Sequence, residues 1–168
     1  MQLGTAQGRL KSLGVESVGV VNTTLQRAQL YFRYRPSPML LAADPDAEIH
    51  QQYRLPAIEV IEDEAKASWP ATATLSQFLA TRVNPSSGPL PEPSNPFVAM
   101  ETVNKQESFE LTETDQQIAN AHGTQLTGHF LIDRAGIIRW AQIEAGTQIT
   151  DLLKFPTDEQ ILSAARAL

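Results

Sequence analysis

Apolar residues recur at Leu3, Ala6, Leu10 and Leu13, a three- and four-residue spacing that stacks them on one face of a helix, and Gly14 would end it. Val15 to Val21 follows as VESVGVV, a β-branched run with little polar content. It is expected to be a strand covered on both faces, as parallel strands are. Thr23 with Gln26 three residues on fits a capping box, in which a hydroxyl and a side-chain amide satisfy orphan N–H groups, and opens a helix to about Tyr34. Pro36 and Pro38 close that helix, because proline lacks the N–H and restrains its predecessor. Met39 to Ala43 is a second short apolar strand, and Asp44-Pro45-Asp46 reads as a turn or N-cap into a helix at 47–53. This alternation predicts an α/β sandwich with parallel strands.

The middle of the chain breaks the pattern. Residues 84–96, NPSSGPLPEPSNP, hold five prolines in thirteen positions, a composition that favours extended backbone over a ladder. The pattern predicts one helix before it, from Thr74 to Arg82. A second is predicted after it, from Thr112 to Ala121, with Thr112 as N-cap, Asp115 in the first turn and Gly123 beyond the end. Periodicity then returns in GHFLIDRAGIIRW, residues 128–140, where two apolar runs flank the turn Asp133-Arg134-Ala135-Gly136. That is a β-hairpin, apolar enough to be buried on both faces. In FPTDEQILSAARAL, Thr157 and Gln160 form a capping box, and Ile161, Leu162, Ala165 and Leu168 form the buried face of a closing helix.

Length and charge narrow the classes. A chain of 168 residues with 42% hydrophobic content suits a single domain with a real core, and its formal net charge of −6 would on average repel a phosphate backbone or an anionic membrane. No apolar run approaches the roughly 18 residues that span a bilayer, and MQLGTAQGRLKSLG lacks the basic-then-apolar order of a signal peptide, so a cytoplasmic location is the expectation. The chain has no cysteine, which removes disulfides, thiolate zinc sites and cysteine nucleophiles from these residues. His50, His122 and His129 lie far apart and make no metal-ligand spacing, so each reads as a surface or loop histidine, with His129 notable beside the open end of the hairpin. The acidic run Glu59, Glu62, Asp63 and Glu64 reads as a solvated face rather than an acid–base pair, and YFRYRP at 31–36 as a helix end with favourable arginines. No phosphate loop or serine-nucleophile motif is present, and neither a cofactor, a metal site nor a catalytic side chain is expected within the chain.

The element order, the stretch LLAADPDAEIHQQYRLP and, above all, FLIDRAGIIR resemble the AhpC/TSA or redoxin branch, the peroxiredoxin-like members of the thioredoxin-like fold. The resemblance implies a thioredoxin-like sandwich with a mixed sheet, occupying 1–168 as one domain with its core at 1–61 and 126–168. An insertion containing the Pro-rich loop fills 62–125. The first strand and active-site loop of such a fold have no counterpart in these residues, and its reactive cysteine would precede the helix at 2–13. Either the reading frame begins further upstream or the redox centre has been lost. In the intact form the resemblance implies a thiol-dependent antioxidant oxidoreductase acting on peroxides or disulfides, with a thiol-reductant protein as partner. Thr127 and Gly128 would flank the reactive group and contact substrate, with Phe130, Ile132, Ile138 and Trp140 bracing the strand beneath it; Thr127 stands where peroxiredoxins place an arginine. The alternative is a non-catalytic thioredoxin-like interaction module or a degenerate fragment. A missing central strand would leave an exposed sheet edge, through which the chain is expected to self-associate.

Overall fold

The computed structural model describes residues 2–34, 36–85, 90–106, 108, 112, 113, 117 and 124–168. They form an α/β arrangement in two compact units, one of residues 1–54, 129–141 and 156–168, the other of 55–128 and 142–155. The predicted division into a core at 1–61 and 126–168 and an insertion at 62–125 draws its boundaries elsewhere.

In the first unit, α1 (Gln2–Ser12) buries Ala6 and Leu10. It ends as the spacing predicts: Gly14 takes φ +78°, its N–H meets the Lys11 carbonyl, and the Val15 N–H reaches back to Leu10, the paired bonds of a Schellman motif. Leu13, which the spacing placed on the same helical face as Ala6 and Leu10, falls beyond the helix and is exposed. Strand β1 (Val18–Val21) pairs in parallel with β2 (Leu40–Ala43), Val21 opposite Ala43, with α2 (Leu25–Tyr34) between them in sequence. The parallel pairing is as expected, but cover on both faces is not, since Val18 and Leu40 are 56% and 71% exposed. The cap of α2 is also one residue later than the spacing suggests: the Thr24 hydroxyl accepts the Arg27 N–H, while the Thr23 hydroxyl is buried without a hydrogen-bond partner.

Strands β6 (Gly128–Ile132) and β7 (Ile138–Ile143) form the predicted hairpin. Asp133 builds its turn, accepting the N–H groups of Ala135 and Ile137 and the guanidinium of Arg139, and Gly136 at φ +80° closes it. The two faces are unequally covered, with Phe130 half-buried on the second. Leu131 is buried while Ile132, Ile137 and Ile138 are exposed, which corrects the expectation of two buried faces. The covering elements are α1 and the closing helix α6 (Asp158–Arg166), whose Ile161, Leu162 and Ala165 join Ala6, Leu10 and Leu131 in one cluster flanked by Val15 and Trp140. Burial of each of these larger side chains contributes about 1.5–3 kcal/mol. The Thr157–Gln160 capping box is present; Leu168 lies past the helix and is exposed, not part of its buried face.

In the second unit, β3 (Ala57–Ile61) sits between β4 (Thr72–Thr74), which is parallel to it, and β5 (Thr124–Gln125), which is antiparallel. Helix α4 (Leu75–Ala80) starts on a Thr74–Gln77 capping box, one residue inside the predicted Thr74 start, and α5 (Pro96–Gln106) follows the Pro-rich stretch. Ile58, Ala73, Phe78, Val83, Ala99 and Leu126 make its core. The described ends of the Pro-rich stretch are fastened, Val83 to Ser94 by a pair of backbone bonds and Asn84 to both backbone groups of Leu90. The helix predicted from Thr112 to Ala121 lies almost wholly outside the described residues.

Candidate functional sites

Within the first unit, polar groups collect where β1 and β2 end. After Val21 and Ala43, which are paired, come Asn22 and Asp44, and the Asp44 N–H continues the ladder to the Val21 carbonyl. Ligands of α/β proteins bind outside the carboxyl ends of parallel strands, so this edge is a natural place for chemistry. Asp44 is buried, 5% exposed, and its Oδ2 accepts three bonds: from the N–H groups of Ile49 and His50, at 3.0 and 3.1 Å, and from His50 Nδ1 at 2.6 Å. Two of these hold the start of α3 (Glu48–Gln52), whose N-cap, Ala47, is left-handed at φ 55° and contributes no side-chain bond. Asp44 thus caps the helix from three residues upstream, a cap predicted at Asp44–Asp46 and realised through its side chain. Burial pushes the Asp44 carboxyl up, but the His50 ring and the backbone N–H groups outweigh it, and the net shift is downward. The carboxylate is therefore ionised at neutral pH. Asn22 Oδ1 and Thr23 Oγ1, beside this edge, are buried and accept no hydrogen bond.

His50 is accordingly no surface histidine. Its side chain is 11% exposed, fixed through Nδ1 on α3. His129 on β6 is half-buried, and that burial lowers its pKa, favouring the neutral ring. His122 lies outside the described residues. Among the described residues no cluster of three or more histidines and carboxylates can hold a metal ion.

The predicted substrate residues Thr127 and Gly128 fall in the second unit. Thr127 is exposed, and its backbone is clamped to Glu144: the Glu144 N–H donates to the Thr127 carbonyl at 2.8 Å, and Glu144 Oε2 accepts the Thr127 N–H at 3.2 Å. The other oxygen, Oε1, accepts the Leu153 N–H at 2.6 Å. Leu153 and Ala145 both take positive φ, 62° and 47°, and the Ala145 carbonyl receives Trp69 Nε1–H. A buried carboxylate thereby ties the Thr127 and Leu153 segments together, and Leu153 and Ala145 sit in the left-handed region, a conformation that costs non-glycine residues energy. Beside it an open cleft of about 330 Å³ is lined by Gln142, Gly146, Thr147, Asp151 and Lys154 among others. Lys154 pairs with Asp151 at 2.9 Å, and Gln142 Oε1 is buried without a partner.

The acidic run is divided among different tasks. All four carboxylates are exposed, as a solvated stretch should be, with Glu59 in β3 and Asp63 capping a 3₁₀ turn at Glu64–Lys66. No helix among the described residues is long and apolar enough to cross a membrane. Comparison with family models, curated proteins and solved structures finds no match.

Proposed function

We infer that the first unit is the scaffold of a thioredoxin-like redoxin whose intact form reduces peroxides or disulfides through a thiol, the thiol being supplied by residues outside these 168. The observation that carries this reading is the divided sheet. β1 pairs only with β2 and β6 only with β7, so among the described residues neither β1 nor the hairpin has a strand beside its second edge. A single strand joining them would give the mixed sheet of the resemblance. The helices support it too: α1 and α6 cover the same hairpin face, around Leu131. On this reading α1 is the redoxin helix that the reactive cysteine precedes. An edge of this kind would otherwise recruit a strand from another chain, so self-association belongs to the same reading.

The test is to express the reading frame together with the in-frame codons ahead of Met1 and to follow peroxide consumption with a small-thiol reductant. Turnover that thiol alkylation abolishes is the expected result. No consumption above the alkylated control, or a stop codon directly ahead of Met1 with no cysteine between, removes the enzymatic reading and leaves the interaction module.

A further inference from the structure

We draw no further inference here: the strongest candidate, the open cleft of the second unit beside Gln142, Asp151 and Lys154, has its charges committed to each other, Asp151 accepting from both Lys154 and the Gln148 amide, while the unpartnered Gln142 Oε1 is itself buried, so nothing among the described residues shows what ligand it would take.

Discussion

In the first unit two helices lie on one face of a hairpin, and apolar side chains from Ala6 to Ala165 meet without polar intermediaries. The second unit has an apolar core as well, but apart from α5 its β3, β4, α4 and β5 have six residues or fewer, and its loops are fastened by side chains that reach backbone groups. Trp69 donates to Ala145, Gln125 to Leu55 and Pro56, Asn84 exchanges bonds with Leu90, and Glu144 takes N–H groups from Thr127 and Leu153. Short helices and strands do not sustain themselves in water, and cross-links of this kind substitute for the length they lack. Apolar pattern stabilises one unit, and polar stapling adds decisively to the other.

Substitution in the two cores provides the largest effects and the reference for the rest. Leu162→Ala in the first unit and Leu126→Ala in the second, both 1% exposed, are each expected to cost about 2–5 kcal/mol in a urea melt. Equal losses would show that both units lean on their cores, whatever else fastens them. Glu144→Ala then isolates the stapling. It strips the acceptor from the Thr127 and Leu153 N–H groups, and a loss of about 1–3 kcal/mol is expected, with Glu144→Gln falling between it and the native protein. A neutral Glu144→Ala would break the comparison. The capping boxes offer a matched pair: Thr74→Ala and Thr157→Ala should each cost about 1 kcal/mol, since both hydroxyls perform the same task.

Acid titration sharpens the contrast further. The Asp44 carboxyl has a folded pKa below its ordinary 3.8, so its contribution is complete above that value and is lost as pH falls from 3.8 through the folded pKa. Comparing acid unfolding of the native chain with Asp44→Asn should show a shallower slope in the variant across that window. The smallest effect belongs to Glu159, which joins Arg9 of α1 to Arg166 of α6 in full solvent. Glu159→Gln is expected to leave the melting temperature unmoved within error, because exposed ion pairs are screened.

The same contrast explains what could be read from the chain. α1, the parallel strands, the hairpin and α6 announce themselves by periodicity, and the Gly14 and Thr157 signals lie where the structure uses them. In the second unit β3 was not predicted: of Ile58, Glu59 and Val60 only Ile58 is buried, so no clean alternation separates the strand from the acidic run. Helix α5 begins at Pro96, with Asn95 accepting the Val98 N–H, a proline-at-first-turn start concealed by the Pro-rich run before it. Of the site, Asp44 was visible as a cap. Its bond to His50 was not, because the pairing depends on the left-handed turn at Ala47 that folds α3 back onto the strand end. Glu144 gave no signal at all: a single acidic residue after an apolar strand looks like any solvated turn, and only the approach of the Thr127 and Leu153 segments buries its side chain.

The tryptophans number two, and they fall one to each unit: Trp140 against the helices over the hairpin, Trp69 with its indole N–H on the Ala145 carbonyl. Nature has in effect installed a separate fluorophore in each half. With Trp69→Phe the emission of the protein belongs to the helix-covered hairpin, and with Trp140→Phe to the stapled region, so that unfolding of either can be watched without an added dye.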